Sequence, residues 1–202
     1  MIFDTESLRI KFKDYANIPQ KVSLDCKKGL LVRVKRGVYS DDVGKDAPAI
    51  ANFLYGPSYV SFEYALAFYG LIPERVTMLT SATFGKGKSK SFHCQGASFS
   101  YQDIPSAAFP ADTTVFESES GLPYRIARKE KALCDTLYSK YPVRNCHELE
   151  ELLFDDLRID EDELEKLDKA ALLELCPLYR STTLSTFCRY IKKGRANEQH
   201  SR

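Results

Sequence analysis

Leu8 and Phe12 stand one helical turn apart in TESLRIKFKDY, and Asp4, just ahead of them, is a residue type that caps a helix through its side-chain oxygen. The same spacing returns at Val22 and Cys26 in QKVSLDCKK. There Pro19 suits a first helical turn and Gly29 a left-handed stop, so a second short helix is predicted. Then the period changes. In LLVRVKRGVY the apolar Val32 and Val34 alternate with Arg33 and Lys35 as along a half-buried strand, KRG reads as a turn, and Val38 and Tyr39 resume the ribbon.

After SDDVGKDAP, which reads as a polar linker, the chain becomes aromatic. One helix is predicted to end near Gly56. A second is expected to be capped by Ser61, with Tyr64, Phe68 and Leu71 on its packed side and Ala65 and Ala67 permitting close approach. RVTMLTSAT, SKSFHCQG and SFSYQDI are rich in β-formers and bounded by turn residues, which predicts an antiparallel meander. YRIARKEKALCDTLYSKY predicts a strand leading into a helix with Leu133, Cys134, Leu137 and Tyr141 on one face. Glu130 shares that face and is expected to be partly buried and paired with a base. The remainder is helical. Asn145 caps a helix carrying Leu149, Leu152, Leu153 and Leu157, a second has Leu164, Leu167, Ala171, Leu172 and Leu175 on one stripe, and a last one carries Leu184, Phe187, Cys188 and Ile191. The predicted class is α+β. It comprises a small N-terminal unit over 1–45, a larger α+β domain with antiparallel strands and a helical C-terminal end over 46–193, and a disordered polar tail over 194–202.

A hydrophobic share of 44% with 12% aromatic residues supplies a sizeable core, and no run is long and apolar enough for a membrane span. The start, with Asp4 and Glu6, lacks the pattern of a secretory signal, so a cytoplasmic protein without membrane partners is expected. The six cysteines form no CxxC, and Cys134 and Cys188 fall on apolar helical stripes, which argues against a disulfide framework.

The formal charge of +1 conceals two poles. Residues 1–40 carry nine Lys or Arg against four acids, and residues 148–168 carry eleven acids against Arg158 and Lys166. A helix followed by a basic ribbon is the closing half of a winged helix-turn-helix. In that arrangement Gln20, Lys21, Ser23 and Lys27 face the major groove and ribbon cations reach phosphates or the minor groove. The same charges also fit an ordinary solvated face, and spacing alone leaves both readings open.

Little points to catalysis. FGKGKSKS ends like a phosphate-binding loop, but the glycine required five residues before Gly87 is replaced by Ala82, so a mobile hairpin tip with three lysines is expected instead. His93 adjoins Cys94 and Cys146 adjoins His147, neither at a chelating spacing, and there is no GxSxG or HExxH. No cofactor, no metal and no enzyme activity are expected. The one enzymatic alternative is a diffuse site drawn from Asp103, Glu117, Glu119 and Lys131.

Three stretches, in order, carry a resemblance: DYANIPQKVSLDCKKGLLVRVKRGVY, YGPSYVSFEYALAFYGLIPERVTMLTSAT and IARKEKALCDTLY. Over roughly residues 10–141 the chain resembles the AbiEi family, the antitoxin and transcriptional-regulator halves of type IV toxin-antitoxin systems. The resemblance implies an N-terminal winged helix that binds inverted repeats in its own promoter, and a following domain that counters a nucleotidyltransferase-like toxin without a stable complex. It assigns DNA contact to Gln20, Lys21, Lys27, Lys28, Arg33, Lys35 and Arg36, the ribbon turn to Gly37, packing onto the next domain to Tyr39, and a structural role to Glu130 beside Lys131. Family members often carry a helix ahead of TESLRIKFKDY, so an abridged module, weak or acting as a homodimer on DNA, is expected here. The competing expectations are a protein-interaction module gripping an acidic partner and a solitary regulator without a toxin.

Overall fold

The Asp4 carboxylate accepts the Ser7 backbone N–H at 2.7 Å, which ends strand β1 (Ile2–Asp4) and starts helix α1 (Thr5–Lys11). The computed structural model describes residues 1–94 and 96–200, without the side chains of 194–200. Asn17 caps α2 (Ile18–Lys27) by accepting from Gln20 N–H at 3.1 Å, and Gly29, at φ +72°, lets the chain leave it. Strands β2 (Val32–Lys35) and β3 (Val38–Ser40) turn on Gly37, also left-handed at φ +78°. β1 returns to pair with β3, giving an antiparallel sheet in the order β1-β3-β2.

Phe3, Leu8, Phe12, Val22 and Leu31 form a small core between this sheet and the two helices. The unit also leans on its neighbour. Val34, Val38 and Val43 belong to the large core of the rest of the chain, and the Cys94 thiol donates to the Val34 carbonyl at 3.7 Å. SDDVGKDAP is consequently a packed joint and not a free linker, with Val43 and Asp46 both buried. Tyr39 corrects its expectation too. Alternation along β3 turns Val38 and Ser40 toward the larger domain, and Tyr39 packs back into the small core.

The large sheet contains β4 (Tyr59–Val60), β5 (Met78–Thr83), β6 (Lys90–Cys94), β7 (Ala97–Asp103), β8 (Thr113–Glu117) and β9 (Pro123–Ala127), in the order β6-β7-β5-β4-β9-β8. It is mixed, because β5 runs parallel to β7 and β4 parallel to β9. The expected antiparallel meander is thus wrong: β7 inserts between β5 and β6, and the lysine-rich segment is a crossover loop, not a hairpin tip. Strand propensity identifies a strand without naming its partner. The clue lay in β5 itself, whose LTSAT is buried on both faces as in a central strand.

Helices α3 (Ala47–Leu54), α4 (Phe62–Phe68) and α5 (Lys129–Ser139) pack on this sheet. α4 buries Phe62, Ala65 and Leu66, leaving Tyr64 half-buried and Phe68 exposed, which rotates the packed face away from the expected one. Tyr141 is likewise exposed, its hydroxyl donating to Asp156 at 2.6 Å.

At the acidic end, α6 (Cys146–Glu150) is capped by Asn145 as expected and continues into a π-helical turn, Glu151–Asp156. The single helix expected after it is two, α7 (Glu161–Glu165) and α8 (Lys169–Leu175), because Asp168 accepts from the Ala170 and Ala171 N–H groups and caps a new start. Leu164, Leu167, Leu172 and Leu175 are buried nonetheless. A 3-10 turn, Cys176–Tyr179, leads to α9 (Thr182–His200), which buries Leu184, Phe187 and Ile191. The expected tail at 194–202 falls on residues whose side chains, or for 201 and 202 whose whole placement, lie outside the described residues. Among the described residues no helix is long and apolar enough to cross a membrane.

Candidate nucleic-acid interface

Val22 and Asp25 turn inward on α2, so Gln20, Ser23, Leu24, Lys27 and Lys28 form its exposed stripe at helical spacing. Arg33, on β2, lines the same groove as Ser23 and Cys26, a hollow of about 660 Å³ between the two helices and the sheet. Arg36 is exposed at the β2–β3 turn. Lys27, Lys28, Arg33 and Arg36 make no side-chain ion pair or hydrogen bond among the described residues.

Two expected contact residues are held otherwise. Lys21 Nζ donates to Asp25 Oδ1 at 2.6 Å and lies 5.2 Å from the ring centres of both Phe12 and Tyr15. That bond to Asp25 raises its pKa and makes it a brace for the α1–α2 corner. Lys35 Nζ donates to the Phe53 carbonyl at 2.9 Å and lies 4.8 Å from the Phe53 ring centre, satisfying a carbonyl at the C-terminal end of α3. The bulge between Arg33 and Lys35 in the β2–β3 register is what sends the two cations to different places.

The segment that resembled a phosphate loop has an internal occupant. Asp103 Oδ2 accepts from the Lys86 and Gly87 N–H groups at 2.6 and 2.7 Å, while Thr83 Oγ1 donates to Asp103 Oδ1 at 2.6 Å. A carboxylate of the chain itself thus fills the amide cradle where a phosphate would sit. Nor are Asp103, Glu117, Glu119 and Lys131 brought together. Asp103 closes this loop, Glu117 and Glu119 are exposed around the end of β8, and Lys131 is in the core. His93 Nδ1 lies 3.0 Å from Ser98 Oγ, and among the described residues no three His, Cys, Asp or Glu side chains converge as metal ligands.

The sequence reading missed a buried polar cluster. Lys131 and Asp135, one turn apart on α5, pair at 2.8 Å with no exposed side-chain surface. Asp135 Oδ2 also accepts from Tyr59 OH at 2.9 Å and Ser61 Oγ at 2.6 Å, and Asp135 Oδ1 from Tyr179 OH at 2.6 Å. Ser61 is therefore spent on Asp135 and not on capping α4. Burial, then the Asp135 charge, pushes the Tyr59 and Tyr179 phenols far above their usual range and keeps both as donors. Phe62, next along, is fully buried at φ 57°, a left-handed strain held by the surrounding bonds. Spacing alone could have paired Lys131 with Asp135, but only packing buries them. Glu130 is buried, and its Oε1 accepts the Asp168 backbone N–H at 3.0 Å where a basic partner was expected.

No protein-family model matches the chain, and no curated protein does either.

Proposed function

We propose that the N-terminal unit acts as a winged helix-turn-helix that binds duplex DNA, and that the chain is an autoregulating antitoxin opposing a nucleotidyltransferase-like toxin. The observation that carries the reading is the join of one exposed helix face to one basic hairpin. In the order β1-α1-α2-β2-β3, with its sheet ordered β1-β3-β2, the outer stripe of α2 and the β2–β3 turn are both exposed, and Arg33 on β2 lines one hollow with Ser23 and Cys26 of α2. In this reading Gln20 and Ser23 approach base edges in the major groove, and Lys27, Lys28, Arg33 and Arg36 take phosphates. Lys21 and Lys35 serve as braces. The three ordered sequence stretches that resemble the AbiEi family support the antitoxin role. The larger body is assigned no catalytic step and no cofactor.

Gel shifts on the DNA upstream of the gene test the reading. Affinity is expected to fall steeply with salt. Alanine at Lys27, Lys28, Arg33 and Arg36 is expected to weaken binding to every sequence and to flatten the logarithmic salt slope by about 0.9 for each phosphate no longer neutralised. Unchanged binding in that variant would remove the α2 stripe and the wing from the reading, and a wild-type chain that shifts no duplex would remove DNA from the function.

A further inference from the structure

The hollow between α1, α2 and the small sheet has an apolar floor that is already sheltered: Leu8 is 2% and Val22 9% exposed, and Ile18 and Tyr39 beside them are half-buried. Of the large apolar residues most exposed in this unit, Met1, Ile10, Leu24 and Leu30 lie off its lining, and Tyr15 borders it. It is therefore a recess and not a broad apolar patch for another protein. Its volume of about 660 Å³ falls within the roughly 300–1,000 Å³ of small-molecule sites.

The charges of the recess select its ligand. Two arginines line it and, among the described residues, no carboxylate does. Arg9 is balanced by Glu6 at 2.6 Å, which leaves the Arg33 guanidinium as the uncompensated charge on the wall. Arg33 stands directly opposite Tyr39 in the β2–β3 pairing, so the two side chains share a face of the sheet. The guanidinium is also near enough to the Cys26 thiol for its charge to oppose the burial and the Asp25 charge that raise that thiol's pKa. One fork of donors beside a phenol ring, at the edge of an apolar floor, suits a planar ring bearing a single carboxylate. A phosphate monoester, with about two negative charges, would leave one of them unmatched.

We propose that this hollow binds an aromatic monocarboxylate, its carboxylate held by Arg33 and its ring lying on Leu8, Val22 and Tyr39. The binding stands apart from the DNA reading, but its consequence rests on it. Ser23 and Arg33 belong to both the recess and the face assigned to duplex, so the bound acid withdraws Arg33 from phosphate and weakens the grip on DNA.

Calorimetric titration of the full chain with 2-naphthoate, without DNA, tests the site, and amide NMR spectra along the same titration locate it. One-to-one binding with a Kd of about 1 mM or tighter is expected, with shifts at the amides of Thr5, Ser23, Cys26, Arg33 and Tyr39. Neutral 2-naphthamide, of the same shape, should bind about tenfold more weakly. Arg33→Gln should erase that preference while its thermal midpoint stays at the wild-type value. Gel shifts read the consequence: saturating 2-naphthoate should lower wild-type DNA affinity about fivefold and leave that of Arg33→Gln unchanged. No binding up to the solubility limit of the acid, equal affinity for the amide, a preference retained in Arg33→Gln, or shifts only at amides away from the hollow would overturn the proposal. So would a concentration-dependent dimer that protects these same amides, because a second copy would then fill the recess. A ligand-free chain that shifts no duplex would end the DNA reading while the calorimetry still decides the site, and acid binding with unchanged DNA affinity would overturn the coupling.

Discussion

Lys131 Nζ lies 2.8 Å from Asp135 Oδ1 in the middle of the larger domain, and neither side chain reaches solvent. A charge pair so placed is costly to form and more costly to break. Around it Tyr59 from β4, Ser61 ahead of α4 and Tyr179 from the 3-10 turn converge on one carboxylate, tying sheet, helix and C-terminal end together.

Lys131→Met should therefore lower folding stability by about 3–5 kcal/mol, because it strands the Asp135 charge. Adding Asp135→Leu should recover part of that loss, since no lone charge remains. Urea denaturation of the two variants measures the difference; equal losses would mean the pair contributes only volume.

Lys35→Ala and Arg33→Ala should separate cleanly. Lys35 is committed to the Phe53 carbonyl, so its loss should cost up to about 1 kcal/mol of stability and leave the salt dependence of DNA binding unchanged. Arg33→Ala should do the reverse, lowering DNA affinity with an unaltered thermal midpoint.

Asp103→Ala should open the Lys86–Gly87 amide cradle. A cost of about 1–3 kcal/mol is expected for the orphaned donors. Sulfate or phosphate should then raise the thermal midpoint of the variant more than that of the wild type, as the anion replaces the missing carboxylate.

Asp112 gives a pH signature. Burial, then the charge of Glu130, raises its pKa above the usual value of 3.8. The folded state thus holds this proton more tightly than the unfolded one, and stability falls as pH rises from 3.8 through the raised value. Asp112→Asn removes that dependence and keeps a side chain tolerant of the left-handed backbone, φ 49°, at this position. The variant should melt higher than wild type at neutral pH and show a flatter acid profile in thermal scans.

Local chemistry was legible where a residue acts on its immediate neighbours. Asp4 and Asn145 cap the helices they were expected to cap, Gly29 and Gly37 make their left-handed turns, and Leu149, Leu152, Leu153 and Leu157 are buried together. The exposed stripe of α2 also follows from its own period. Pairing between distant segments was not legible. Whether β6 meets β5 or β7 depends on long-range hydrogen bonds that propensity does not encode, and the reading of α4 held for Ala65 and Leu71 but not for Tyr64 and Phe68, because the side of a short aromatic helix that is buried depends on what packs against it.

The amino-acid order by itself determined the start and stop of most elements, the basic and acidic poles and the helix-helix-ribbon order of the first forty residues, since each arises from interactions only a few residues apart. Only the tertiary structure decided that Lys35 grips Phe53 while Arg33 stays on the groove, that Asp103 fills the lysine-loop cradle, and that Lys131 and Asp135 are sealed in the core. Each of these brings together groups far apart in sequence or depends on burial by remote segments, and a charge's role changes with that surrounding even when its spacing does not.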